Sequence, residues 1–156
     1  MPIEIERKFL VADDRWRHDA EPGQRFCQGY ISRSDDSSVR VRLASDRAWL
    51  TVKGGDAGPA RLEFEYAIPV EEAQDLLDRL CARPVLDKTR YRVPYRGLVW
   101  EVDVFAGHAQ GLIMAEVELT EVGQRVDLPD WIGREVTGDR RYRNAAIVDH
   151  VPEGAL

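Results

Sequence analysis

The sequence predicts an α+β fold in which β structure dominates, an antiparallel sheet curled towards a barrel. Three observations predict it. Most of the chain alternates apolar and polar residues with period two, the connections are short and rich in turn-forming residues, and few segments carry helical periodicity. The first expected strand is Ile3–Val11, where Ile3, Ile5 and Phe9 alternate with Glu4, Glu6 and Lys8. Asp13 to Ala20 reads as a short helix. Alternation resumes over Phe26–Ser32, Ser38–Ala44, Ala48–Lys53 and Arg61–Ile68, and Lys53-Gly54-Gly55-Asp56-Ala57-Gly58-Pro59 carries turn chemistry between the last two. After Pro69, Val70, Ala73, Leu76, Leu77 and Leu80 recur at helical spacing, so an amphipathic helix is expected over Val70–Ala82, ending before Pro84. Val85–Val93 and Leu98–Phe105 flank the turn Tyr95-Arg96-Gly97, and Leu112–Thr120 follows. Leu128–Ile132 reads as one turn and Glu135–Thr137 as a short strand. Asp139 caps a last helix running to His150, with Tyr142, Ala146 and Ile147 facing inward.

The 156 residues suit a single domain, 1–156, long enough to bury a substantial core. Lys plus Arg number 22 against 28 Asp plus Glu, a net charge of −6, which argues against a protein that coats nucleic acid. An anionic small ligand stays open, because local charge placement decides that. Charge arrives at Glu4, too early for the apolar region of a signal peptide, and the longest stretch without Asp, Glu, Lys or Arg, between Asp103 and Glu116, is far too short to span a bilayer. Cys27 and Cys81 lie far apart with no paired spacing, so reduced core thiols and a cytoplasmic location are expected.

Successive side chains of a strand point to opposite faces. One face collects Glu4, Glu6 and Lys8; Arg40 and Arg42; Lys53; Arg61, Glu63 and Glu65; Lys88, Arg90 and Arg92; Glu101 and Asp103; Glu116 and Glu118. Such alternation is what a half-exposed antiparallel sheet shows when its charged face meets water. Two features count against that. The signs are largely segregated by strand, placing like charges roughly 7 Å apart at i and i+2, whereas a solvated surface intersperses its signs. Arg is also heavily used, and its planar fork binds oxyanions bidentately. The other reading inverts the barrel: the charged face lines a lumen, and the apolar face points out beneath Val70–Ala82 and Asp139–His150. Carboxylates would then hold a hard divalent cation and Arg and Lys a polyanion, each neutralising the other's site.

The run Glu4-Ile5-Glu6-Arg7-Lys8 matches an E-x-E-x-K signature. It is followed in order by Gln28-Gly29-Tyr30, Arg40-Val41-Arg42, Leu50-Thr51-Val52-Lys53-Gly54, Glu63-Phe64-Glu65, Lys88-Thr89-Arg90-Tyr91, Trp100-Glu101-Val102-Asp103, Glu116-Val117-Glu118 and Glu135-Val136-Thr137-Gly138-Asp139. This ordered set, spread over nearly the whole chain, resembles the CYTH superfamily, the triphosphate tunnel metalloenzymes, and its short length resembles the small bacterial members. The resemblance implies an eight-stranded antiparallel β-barrel forming a tunnel with a charged lumen, which binds a triphosphate and Mg²⁺ or Mn²⁺. By position it gives Glu4, Glu6, Glu116 and Glu118 as metal ligands. Glu63, Glu65, Glu101 and Asp103 are further ligands or groups that orient Arg and Lys, with Glu63 and Asp103 counted in the metal set. Lys8, Arg40, Arg42, Lys53, Lys88 and Arg90 form the phosphate-binding set, which Arg92 extends or leaves to pair with an acid.

The same resemblance implies metal-dependent hydrolysis of a triphosphate, with inorganic tripolyphosphate the expected substrate. Water attacks in line, oriented by a metal or by Glu6; Lys8 and Arg90 hold the terminal phosphate; Tyr30 aligns with the tyrosine that some small members use beside the catalytic lysine, and the catalytic set is Glu6, Lys8, Tyr30 and Lys88. A class IV adenylyl cyclase or a thiamine triphosphatase could use the same tunnel, and a non-catalytic polyphosphate- or nucleotide-binding module could keep the bases and discard the acids. Retention of both E-x-E pairs favours the enzyme. The expected partner is a small polyanion, not nucleic acid or membrane, and an apolar outer wall makes a homodimer plausible. His18, His108 and His150 show no ligand spacing, and Trp16, Trp49, Trp100 and Trp131 read as packing residues. Arg140-Arg141-Tyr142-Arg143 reads either as a solvated face or as part of the tunnel mouth, together with Asn144.

Overall fold

A computed structural model describes residues 3–34, 36–55 and 59–152. Residues 56–58 of the expected Lys53–Pro59 turn lie outside the described residues. Nine strands form one sheet: β1 Ile3–Val11, β2 Gln24–Arg33, β3 Ser37–Leu43, β4 Ala48–Gly54, β5 Ala60–Ile68, β6 Leu86–Tyr95, β7 Leu98–Ala106, β8 Ile113–Glu118 and β9 Ile132–Glu135. The spatial order is β5-β4-β3-β2-β6-β7-β8-β1-β9, and β5 also pairs with β1. Eight antiparallel strands therefore close into a ring. The first half of β1 pairs with β5 through Ile3 to Ile5, and β9 takes up the same strand further along, at Phe9 and Val11.

The β-dominated antiparallel architecture is as the sequence predicts, and strand boundaries differ by a few residues. At the β6–β7 hairpin, Arg96 (φ 46°) and Gly97 (φ 82°) form a two-residue turn that closes the Tyr95–Leu98 pair, the left-handed geometry that matches strand twist. Strand β6 runs on through Pro94 because β2 pairs with it only from Leu86 to Arg90. Pro94 thus has a β-neighbour on one side alone. The short strand expected at Glu135–Thr137 lies instead at Ile132–Glu135. Leu128–Ile132 is not helical: Ile132 N–H donates to the Pro129 carbonyl in a single β-turn (3.1 Å) that leads directly into β9.

Outside the ring, helix α1 (Val70–Arg79) lays Ala73 and Leu77 over Val41, Ala48 and Cys81. Gly29 permits that approach, since a Cβ there would lie 2.9 Å from Cys81 Cβ. A 3₁₀ segment, Asp14–Asp19, is capped by Asp13 and buries Trp16 against Tyr91 (5.2 Å between ring centroids). Trp131 packs edge-on against Trp100 (6.0 Å), which also meets Phe9. These three tryptophans are core residues, as expected.

The last helix departs from expectation. Asp139 does cap a turn, accepting from Arg141 N–H, but the turn is a 3₁₀ segment over Arg140–Tyr142. Arg143 is then extended (φ −71°, ψ 140°), and a separate short helix, α2 (Asn144–Ile147), follows. The broken segment does not cover the outer wall. Tyr142, Ile147 and Val148 pack with Tyr30, Leu86, Phe105, Leu112 and Met114 in one buried cluster, with Leu10 against it. Leu10, Leu86, Phe105 and Met114 share strand parity with Lys8, Lys88, Asp103 and Glu116. At one end of the ring the inward positions thus change from charged to apolar, and the C-terminal segment corks that end. Among the described residues no helix is long and apolar enough to cross a membrane.

Candidate active site

The charged face points inward. A cavity of about 770 Å³ fills the ring and is lined by Glu4, Glu6 and Lys8 of β1, Tyr30 and Arg33 of β2, Ser38, Arg40 and Arg42 of β3, and Lys53 of β4. Arg61, Glu63 and Glu65 of β5, Lys88 and Arg90 of β6, Glu101 of β7, and Glu116 and Glu118 of β8 complete the wall. Arg140, Arg141, Arg143, Asn144 and Asp149 contribute from the C-terminal segment. Eleven bases face eight acids there, an excess of three positive charges inside a chain of net charge −6.

The acids and bases are brought together by register. Glu6 stands opposite Glu118, Lys8 opposite Glu116, Lys53 opposite Glu63, and Arg90 opposite Asp103. Lys53 Nζ donates to Glu4 Oε1 (2.9 Å) and lies 3.4 Å from Glu63; Lys8 Nζ lies 3.4 Å from Glu116. Burial opposes the charge on Lys53, but Glu4 outweighs it and holds the ammonium above its ordinary value. Burial, then the charges of Glu116 and Glu4, push the Glu6 carboxyl up to about 8. Glu63 rises to about 7 through burial and a hydrogen bond to Glu4. Glu116 lies well below the usual carboxylate range: burial would raise it, but Lys8, Arg90 and Lys88 prevail. Protons on Glu6 and Glu63 thus relieve repulsion among carboxylates crowded on one wall.

The facing strands β2, β3, β4 and β6 contribute bases, and donors there and at Arg61 of β5 are incompletely satisfied by protein. The Nε atoms of Arg40 and Arg61 are buried without a hydrogen-bond partner among the described residues. Such orphaned donors are costly unless an anion meets them. Arg40 Nη2 donates to Thr51 Oγ1 (3.2 Å), which donates to Glu65 (2.8 Å). Burial and the charges of Arg40 and Arg90 lower the Arg42 guanidinium, a sign of positive potential in excess. Lys88 Nζ donates to Asp103 (2.8 Å) and to Asn144 Oδ1 (2.8 Å). Burial pulls this ammonium down to about 7, with Asp103 opposing.

Two residues expected in the site stand elsewhere. Asp103 does not line the cavity: it is 1% exposed, and its two oxygens accept from Lys88 and from Arg90 Nε (2.8 Å) and Nη2 (2.9 Å). Asp103 thus holds Lys88 and Arg90 from beneath the lining. Arg92 pairs in register with Glu101 but is exposed and outside the lining. Conversely, Gln28, Thr51, Arg33 and Arg61 join the site without having been assigned a role. Parity over β5 already placed Arg61 on the inward face, and the motif around Tyr30 contained Gln28. Arg143 and Asn144 line the cavity from the segment that corks one end of the ring. Of the histidines, His18 and His150 are exposed, and His108 Nε2 meets the Val148 carbonyl at 3.0 Å.

Among the described residues no three His, Cys, Asp or Glu side chains form a ready-made metal cage. The donor set nevertheless fits a hard divalent cation. Glu4, Glu6, Glu116 and Glu118 offer oxygen alone, their crowding favours a positive occupant, and Mg²⁺ characteristically takes one or two carboxylates with phosphate oxygens completing its shell.

A closed antiparallel ring, with acids and bases largely segregated by strand around its lumen, defines a receptacle for a compact polyanion together with a cation. Sequence comparison agrees: residues 2–146 match the CYTH domain, and the chain belongs to that family. It is 50% identical over 148 residues to an inorganic triphosphatase of Acetivibrio thermocellus, covering 95% of this chain and 94% of that protein. It is 39% identical over 156 residues to an inorganic triphosphatase of Nitrosomonas europaea, covering 96% and 99%. A crystal structure of an inorganic triphosphatase superposes with a TM-score of 0.68 at 34% identity, covering 97% of this chain and 98% of that one. A Pyrococcus horikoshii protein at 19% identity shares the fold (TM-score 0.61, covering 76% and 79%).

Proposed function

We propose that this chain is a divalent-metal-dependent inorganic triphosphatase that hydrolyses tripolyphosphate to pyrophosphate and phosphate within the ring. The observation that carries the reading is the lumen itself, about 770 Å³ lined by eleven bases and eight acids largely segregated by strand. Its two relatives described as inorganic triphosphatases match it over almost their full length.

Phosphoanhydride hydrolysis needs charge neutralisation and alignment more than covalent help. Arg40, Arg42 and Lys53 anchor the inner phosphates, and the buried Nε donors of Arg40 and Arg61 gain acceptors when they do. Lys8 and Arg90 hold the terminal phosphate. Glu4, Glu6, Glu116 and Glu118 would hold Mg²⁺ or Mn²⁺, whose chemistry is to neutralise phosphate charge and orient water. Glu6, protonated up to about 8 by burial and by Glu116 and Glu4, is a poor general base near neutral pH and serves better as a ligand. Lys88 Nζ, held by Asp103 and Asn144, has one donor left for phosphate, and Tyr30 lines the same cavity. The protein acts on a small polyanion and not on nucleic acid, in the cytoplasm.

The test is phosphate release from tripolyphosphate, ATP and thiamine triphosphate assayed in parallel with Mg²⁺ or Mn²⁺, with nucleotide products resolved. Tripolyphosphate is expected to give the highest kcat/KM. Preferred turnover of ATP to a cyclic product would make the ribose hydroxyl the nucleophile, and tight binding without turnover of any substrate would make the chain a receptor.

A further inference from the structure

Asn144 begins α2, in the segment that corks one end of the ring, and its side chain reaches back into the site. Its Oδ1 accepts from Lys88 Nζ (2.8 Å) and also from Gln28 Nε2 (2.9 Å). Gln28 is completely buried, and its Oε1 in turn accepts from Arg42 Nε (3.1 Å). One carbonyl oxygen therefore joins two bases that reach the lumen from different strands. We propose that Asn144, working with Gln28, is a positioning residue that fixes Lys88 and Arg42 for hydrolysis, so that the C-terminal segment completes the site as well as closing the ring.

The chemistry of the two amides supports this. An ammonium has three donors; Asp103 and Asn144 take two of those on Lys88, leaving one for the cavity it lines. Asp103 alone fixes the nitrogen at one point, and the second acceptor sets its rotation. A carboxylate in place of Asn144 would also hold Lys88, but it would oppose the incoming phosphates. An amide carbonyl orients without adding charge. Arg42 gains the same service from Gln28, its guanidinium lying over the Phe26 ring at 4.9 Å. The segment itself is secured by contacts that do not touch this chain: Arg33 binds the Ala145 carbonyl (3.0 Å) and Asp149 (2.9 Å), and Arg134 Nη2 donates to the Tyr142 hydroxyl (3.0 Å). Loss of the Asn144 amide therefore leaves the cork attached and the lysine unguided.

The inference rests on the reading that Lys88 and Arg42 bind phosphate, so Lys88→Ala is assayed beside the test variants. Steady-state hydrolysis of tripolyphosphate is measured for Asn144→Ala, Asn144→Asp, Gln28→Ala and the Asn144→Ala/Gln28→Ala double variant, well below each melting temperature. Asn144→Ala is expected to lower kcat about 10- to 100-fold, the usual range for a lost hydrogen bond to a charged group, with KM changed less than about threefold. Asn144→Asp restores most of kcat but raises KM about tenfold. The double variant loses little beyond the worse single one, because both act through one chain of bonds. If Lys88→Ala is inactive while Asn144→Ala keeps kcat within about twofold, or if Asn144→Asp is no better than Asn144→Ala, positioning by Asn144 is wrong. If Lys88→Ala itself turns over normally, the phosphate reading fails, and this inference with it. Should Asn144→Ala not fold, Gln28→Ala decides: a kcat at least about tenfold below the parent supports the proposal, and one within about twofold overturns it.

Discussion

Replacing Asp103 by Asn tests whether the floor of the site is a fixed ion cluster or a metal ligand. The carboxylate is 1% exposed and receives Lys88 and Arg90 at 2.8–2.9 Å. Burial would raise its pKa, but Arg90 and Lys88 prevail and bring it from 3.8 to about 2. For an acid lowered by folding, the stabilisation is present above 3.8 and lost as pH falls through about 2. At about 1.4 kcal/mol per unit it amounts to roughly 2 kcal/mol at neutral pH. Removing the charge also strands two buried cations, for which about 3–5 kcal/mol is typical. Asp103→Asn should therefore lose about 2–5 kcal/mol, a melting temperature lower by roughly 5–20 °C for a domain of this size. Calorimetry in chelator reads the drop, and tripolyphosphate, which brings negative charge to Lys88 and Arg90, should narrow it. Metal affinity should match the parent's. A melting temperature within 1 °C of the parent, or a selective loss of metal affinity, would refute the reasoning.

Other consequences follow from the same geometry. Glu6 and Glu63 keep protons up to about 8 and about 7, above the ordinary 4.5. The metal-free fold thus holds protons that the unfolded chain has already released, and its melting temperature in chelator should fall as pH rises from 5 to 7. A rise over that window contradicts the assignment. For the same reason Mg²⁺ should bind more tightly at pH 8 than at pH 6 and release protons on binding, both measurable by calorimetry in two buffers. Arg92→Ala should leave kcat/KM within about twofold, whereas Arg90→Ala should lose about 100-fold or more; a tenfold loss at Arg92 would return it to the site. Thr137 Oγ1 accepts the Lys8 backbone N–H at 2.9 Å. Thr137→Val should therefore lose about 1–3 kcal/mol in denaturant melts, and unchanged stability would mean that this bond does not hold β1.

Much of the fold was legible because a strand writes its two faces into alternate residues. Glu4-Ile5-Glu6-Arg7-Lys8 and Lys88-Thr89-Arg90 announced a charged face, and the segregation of sign announced that it faces a lumen. What parity does not carry is depth along the strand. Arg92 shares parity with Lys88 and Arg90 but lies past the ring's interior, and Asp103 shares parity with Glu101 but is consumed by its neighbours. Nor does it carry long-range partners: nothing local in Asn144 points to Lys88, 56 residues away in the chain. The cork was within reach, because the same parity runs on from Lys8 to Leu10, from Lys88 back to Leu86 and from Asp103 to Phe105. An inward face that turns apolar must be covered by something. The helical pattern of Asp139–His150 hid this, since Arg143 breaks it to fit the ring's end.

The ring concentrates charge that a protein interior ordinarily excludes, and only in part does it neutralise that charge internally. Lys53 pairs with Glu4 and Glu63, and Lys88 and Arg90 share Asp103, although Glu63 Oε2 is left without a hydrogen-bond partner among the described residues. Arg40 and Arg61 keep buried donors in hand. That remainder is where binding energy for a polyanion resides, because donors already desolvated and held in place cost little further reorganisation when the anion arrives.

The most direct test of this account is an experimental structure of the protein with Mg²⁺ and a tripolyphosphate analogue whose bridging oxygens are replaced by methylene groups. The account predicts three phosphorus positions inside the ring, their oxygens within hydrogen-bond distance of Arg40, Arg42, Lys53, Lys88 and Arg90, and a cation held on the side of Glu4, Glu6, Glu116 and Glu118. An analogue bound only at the Arg140–Arg143 rim or on the outer wall, with the lumen still closed by its own ion pairs, would contradict it.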